Sequence, residues 1–164
     1  MFTRQRAILR LIENAGGRIE RLRLVKLAFL LRCDDANSST SVYDFVPYRR
    51  RPFSFMLYHD LRGLARNGWL HENDYHVEMI AQPAIETAFL DASLLQRIDA
   101  VSKGCGSLST SALVDTIYSE YPWYTVNAEF VRKRRASRPT GSLAVYTVGY
   151  EGLTIDALLN LLME

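Results

Sequence analysis

Arg49, Arg50 and Arg51 place three guanidinium groups in a row. Arginine is the side chain best shaped to fork onto a phosphate or onto the edge of a guanine. Just downstream, Ser54, Tyr58, Arg62 and Arg66 recur every four residues. That spacing makes a polar, aromatic and basic row along one side of a helix. Upstream, Arg18, Arg21 and Arg23 crowd the start of an apolar segment. Together these residues can hold phosphates and offer donors to a groove. Other chemistry has less to work with. His59, His71 and His76 do not fall at metal-ligand spacing with acids or thiols. Asp34, Asp35 and Asp44 hold a metal only if the fold gathers them, and no G-x-S-x-G elbow exists. Gly149-x-x-Gly152 lacks the lysine and third glycine of the phosphate-loop fingerprints. No cofactor, no metal and no catalytic residue is expected, so this chain by itself is not expected to be an enzyme.

The elements that position the arginines follow from pattern. Pro52 suits the first turn of a helix, which predicts a helix from about Phe53 to Arg66 with Phe53, Leu57, Leu61 and Leu64 as its buried stripe. Asn67-Gly68 ends it. Trp69–His71 and Tyr75–Ile80 read as two strands around the turn residues Asn73-Asp74, giving a β-hairpin wing over 69–80. Earlier in the chain, Arg4–Asn14 reads as a helix capped by Thr3, faced by Ile8, Leu9, Leu11 and Ile12, and stopped by Gly16-Gly17. Glu20–Cys33 reads as a central helix, apolar on most sides, with Arg18, Arg21, Arg23 and Lys26 at its exposed start. About 19 residues then separate it from the helix at Phe53. A standard helix-turn-helix uses roughly 3–4. Val42–Tyr48 is a short extended segment. Ala92–Ser102 and Leu108–Tyr121 read as two more helices, broken by Gly104-Cys105-Gly106, with Ser109 or Ser111 capping the second. Tyr121-Pro122-Trp123-Tyr124 closes it with an aromatic cluster suited to packing.

Charge is unevenly placed. Residues 1–66 carry 13 basic and 6 acidic groups, while residues 67–131 carry 2 and 9. The basic front suits phosphate contact, and the acidic middle should face solvent or a partner. The absence of an 18-residue apolar run and of an apolar core near the N-terminus leads to the expectation of a cytoplasmic protein with no membrane partner. The two cysteines, Cys33 and Cys105, are expected to be reduced thiols.

The expected fold is mainly α with a small β-hairpin wing, winged-helix-like, over residues 1–130. A basic linker covers 131–142 (Val131–Gly141 reads VRKRRASRPTG). Residues 143–164 read as a strand, Leu143–Val148, a turn, and a helix, Thr154–Met163. One strand and one helix cannot bury a sheet, so this fragment is expected to open a truncated second α/β domain.

Two resemblances accompany this pattern. Val25-Lys26-Leu27-Ala28-Phe29-Leu30-Leu31, Phe45-Val46-Pro47-Tyr48, Pro52-Phe53-Ser54, Leu61–Leu70 and Tyr121-Pro122-Trp123-Tyr124 resemble the motifs of the Panacea or SocA-like family over residues 19–125, with Arg51 where that pattern has Gly. The resemblance implies a winged-helix-like domain of the kind found among bacterial antitoxins and defence-linked proteins. VYTVGYEGLTIDALLNLL, residues 145–162, resembles the first strand and helix of a bacterial family known only as a domain of unknown function. It carries over no site residue.

The favoured expectation is a duplex-DNA-binding regulatory or targeting module, with Arg49, Arg50 and Arg51 on phosphates and Ser54, Tyr58, Arg62 and Arg66 towards the groove. One alternative is a protein-interaction module, antitoxin-like or homodimeric, suggested by the acidic middle and the Tyr121–Tyr124 cluster. Another is the non-catalytic arm of an enzyme whose active site lies in a further C-terminal domain.

Overall fold

The computed structural model describes residues 1–33, 42–48, 51–80 and 89–125, with positions 152, 158 and 159 beyond them. The linker over 131–142, the fragment over 143–164, and Arg49, Arg50, Asp34 and Asp35 lie outside these residues, apart from those three positions.

Helix α1 spans Thr3–Asn14. Thr3 is its first residue and not its cap. The N-cap position belongs to Phe2, whose N–H donates to Gln5 Oε1 at 3.0 Å. The expected apolar face, Ile8, Leu9, Leu11 and Ile12, is fully buried. At the other end the Gly16 N–H donates to Glu13 O and the Gly17 N–H to Ile12 O, both at 2.9 Å, with φ +85° at each glycine. This is the double bond pattern that ends a helix in left-handed residues.

Strand β1, Arg18–Glu20, follows at once and leads into helix α2, Arg21–Cys33. Leu24 to Phe29 and Leu31 are all buried, because α2 packs against α1, helix α4 (Ala92–Gly106) and helix α5 (Thr110–Glu120). The all-round apolar pattern of α2 is thus matched by neighbours on most sides.

Between α2 and α3 lies a separate two-stranded hairpin. Strand β2, Val46–Tyr48, pairs antiparallel with β3, Arg51–Phe53, with Pro47 opposite Pro52. The expected helix start at Phe53 is therefore corrected. Both strands of an isolated pair are edges, where a missing N–H is tolerated. Helix α3 runs Phe55–Arg66. Ser54 is its N-cap, and its hydroxyl accepts from the Leu57 N–H at 3.3 Å. Leu57, Leu61 and Leu64 are buried as expected. Asn67-Gly68 ends the helix with the same motif as α1, Trp69 N–H donating to Leu64 O at 3.0 Å and Gly68 at φ +75°.

The wing is β4, Leu70–Glu72, and β5, His76–Met79. Asn73 Oδ1 accepts from the N–H groups of Tyr75 and His76 at 2.9 and 2.8 Å, so a side chain completes the turn. Strand β5 lies in the middle of a three-stranded antiparallel sheet, order β1-β5-β4, with Ile19 opposite Val77 and Leu70 opposite Met79. Helix, strand, helix, helix, then two strands, with the first strand closing the sheet, is a winged-helix arrangement carrying an extra hairpin before α3.

Asp91 caps α4, its carboxylate accepting from the N–H groups of Ser93 and Leu94. This helix runs through Gly104 and Cys105 to Gly106, where a break was expected. Ser109 caps α5 by accepting from the Ala112 N–H at 3.1 Å. A 3₁₀ turn, Pro122–Thr125, packs against β2, β3 and α5. Among the described residues no helix is long and apolar enough to cross a membrane.

One buried charge ties the front together. Asp60 on α3 accepts from Arg4 Nε at 2.5 Å, Gln5 Nε2 at 3.0 Å and the Tyr43 hydroxyl at 3.0 Å. Burial, and then the neighbouring carboxylate, hold the Tyr43 hydroxyl well above its ordinary pKa. Asp60→Ala removes the carboxylate that the buried Tyr43 hydroxyl donates to, while Arg4, 29% exposed, still reaches water. The expected loss is about 2 kcal/mol of folding stability by urea titration. A loss under about 0.5 kcal/mol would show that the network contributes nothing net.

Candidate interaction face of helix α3

Helix α3 presents a solvent row offset by one position from the expected one. Phe55, His59, Arg62 and Arg66 are exposed, at spacings that keep them on one side of the helix. Of the expected row, Arg62 and Arg66 are on this face. Ser54 is corrected: it is fully buried and committed to capping. Tyr58 is half-buried and stacks on Phe53, with ring centroids 4.7 Å apart and planes at 15°.

Those two rings begin an aromatic ladder. Phe53 meets Phe55 edge-on at 4.8 Å and Tyr48 at 5.1 Å, and Tyr48 also approaches Phe55 at 6.4 Å. The β2–β3 pairing causes this, because it brings Tyr48 and Phe53 alongside the first turn of α3. Tyr48 and Phe55 remain 43% and 41% exposed. Below the ladder, Arg4, Phe53, Phe55, Met56, Tyr58, His59 and Arg62 line a cleft of about 660 Å³. Its lining is mostly aromatic and apolar, and includes the cations Arg4 and Arg62. Arg62 and Arg66 make no ion pair among the described residues. Phe55 and His59 are the members that the sequence pattern missed. The signal was present in the i, i+4 spacing of Phe55, His59 and the i+7 position Arg62, one step from the row first assigned.

The upstream arginines do not join this face. Arg21 pairs with Glu72 at 2.6 Å, pinning α2 to the wing. Arg23 donates to the carbonyls of Leu108 and Cys105, both at 2.6 Å, and so caps the C-terminal end of α4. Arg18 is exposed on β1 and faces Glu78 at 3.9 Å. Arg51 is exposed on β3, opposite Tyr48. Of the upstream arginines expected on phosphate, Arg21 and Arg23 are thus engaged by a carboxylate and by carbonyls of the same chain, while the Arg18 side chain stays 60% exposed. Lys26, expected at the exposed start of α2, is instead buried.

Neither thiol is poised to react. Burial pushes Cys33 up to about 11 and raises Cys105 as well. Among the described residues, no three His, Cys, Asp or Glu side chains gather where a metal ion could be held. Comparison of the chain with protein-family models, with curated proteins and with solved structures returned no match.

Proposed function

We propose that the described domain is a protein-interaction module that docks a partner on the α3 cleft and the ladder beside it. One observation carries this. Tyr48 and Phe55 keep more than two fifths of their surface exposed while in ring contact over an apolar cleft. Exposed aromatics clustered around a pocket are the usual anchors of protein interfaces. The cations of this face select the partner: a segment with an apolar side chain for the cleft and a carboxylate within reach of Arg62 or Arg66. The resemblance to Panacea or SocA-like antitoxins points the same way.

The test is co-expression of the full chain with the product of the adjacent gene. Wild-type protein should retain that partner through purification. The double variant Phe55→Ala/Arg62→Glu should lose at least tenfold in affinity with an unchanged circular dichroism spectrum, since both side chains are exposed. Equal retention by both proteins, or none by either, overturns the reading.

Duplex nucleic acid is the second reading. The winged-helix order makes α3 the helix that would enter a groove, and its His59, Arg62 and Arg66 are exposed. Fluorescence polarisation across salt separates the two. Duplex binding whose salt slope falls in Arg62→Ala/Arg66→Ala favours nucleic acid.

A further inference from the structure

Three polar or charged residues are buried among the described ones: Lys26, Ser54 and Asp60. Two are satisfied. Ser54 caps α3, and Asp60 accepts three side-chain donors. Lys26 is different. It is 1% exposed, and its Nζ has no hydrogen-bond partner among the described residues. The face of the Tyr118 ring on α5 lies 5.5 Å from Nζ, measured to the ring centroid. A ring quadrupole offsets only part of what a buried ammonium loses on leaving water.

A second cation lies close by. Arg51, exposed on β3, disfavours the charge on Lys26, and α2 packs against β3. Among the described residues no carboxylate contributes to the electrostatics of Lys26; burial, then Arg51, push its pKa down. Two neighbouring cations without an anion among the described residues form an incomplete arrangement. Elsewhere in this chain a buried charge is given its counter-charge, as Asp60 is by Arg4.

We propose that Lys26 and Arg51 form a binding site for a small oxyanion, a phosphate or a carboxylate group, seated between helix α2, helix α5 and the β2–β3 hairpin. The ammonium supplies a point charge from inside the fold. The guanidinium supplies a donor fork from the solvent side. The hairpin and the 3₁₀ turn pack on one another at this end of the molecule. This site is separate from the α3 cleft, whose lining includes neither Lys26 nor Arg51.

The experiment is thermal unfolding of the full chain in inorganic phosphate, in acetate and in chloride at matched ionic strength. The pKa of the Lys26 amine is followed in parallel by NMR. Phosphate or acetate at ten times its dissociation constant should raise the midpoint by about 5 °C over chloride. The amine pKa should rise by at least one unit, a tenfold change. The anion producing both shifts identifies the ligand class. Lys26→Met should lose the response, and Arg51→Gln, an exposed change, should weaken apparent affinity at least fivefold. The proposal is overturned if neither anion moves the wild-type midpoint beyond chloride. It is equally overturned if Lys26→Met responds like wild type, or if the Lys26 amine pKa ignores both anions.

Discussion

Phe29→Ala is expected to cost about 4 kcal/mol of folding stability. Phe29 is 0% exposed at the middle of α2. Its ring is met edge-on from three directions: by Phe45 at 5.3 Å, Tyr121 at 5.2 Å and Tyr124 at 4.7 Å. Truncation removes the transfer free energy of the ring and leaves a cavity that three rigid rings cannot easily close. It also detaches elements far apart in sequence, since Phe45 precedes β2 while Tyr121 precedes the 3₁₀ turn and Tyr124 lies within it. The measurement is urea unfolding followed by far-UV and near-UV circular dichroism. The transition midpoint should fall with little change in slope, and the near-UV aromatic signal should weaken. Trp123→Ala, at an exposed position of the same turn, is the control and should cost less than about 1 kcal/mol. Similar losses from the two variants would mean that Phe29 does not organise this cluster.

The second large effect has the opposite sign. Burial, and after it the charge of Arg51, hold Lys26 down from the ordinary 10.5 to about 8. A depressed lysine pKa means that the unfolded chain holds more protons than the folded one between those values. Stability therefore rises with pH across that interval, and the burden on the fold is fullest below pH 8. A difference of that size corresponds to about 3 kcal/mol. Lys26→Met keeps the length of the stem and removes the charge. In chloride buffer at pH 7 it should be the more stable protein, by about 2–3 kcal/mol. The gap should shrink by more than half at pH 9.5, where the folded wild-type amine is neutral. A gap that stays constant with pH would trace the stabilisation to packing and not to the proton.

Much of this architecture could be read from residue order, and the failures share a physical cause. Ile8, Leu9, Leu11 and Ile12, and later Leu57, Leu61 and Leu64, fall at helical spacing, and all are buried. Asn73 identified the wing turn through its side-chain chemistry. The missed elements are short. Strand β1 has three residues, Arg18-Ile19-Glu20, of which only Ile19 is buried, so alternation has nothing to repeat. Its existence depends on β5, almost sixty residues downstream. Pro52 was ambiguous because a helix start and an edge strand both tolerate a missing N–H. Partners were the least legible part. Nothing local in the spacing of Arg21 or Arg23 announces Glu72 or the carbonyls at the end of α4. Lys26 did leave a trace: it stands inside Val25-Lys26-Leu27-Ala28-Phe29, and a helix apolar on most sides has no wet side on which to place it.

The order β1-β5-β4 constrains how the molecule can come into being. The last of the three strands to be synthesised is the one in the centre. Until Met79 has left the ribosome, β1 and β4 have nothing to bind to, and the carbonyl of Gly17 waits for the Met79 N–H that will meet it at 2.8 Å. Nascent α1 and α2 can form locally, but the sheet cannot grow strand by strand. It closes in one late step that joins the beginning of the chain to its middle, and any shorter N-terminal piece lacks the strand that makes the other two a sheet.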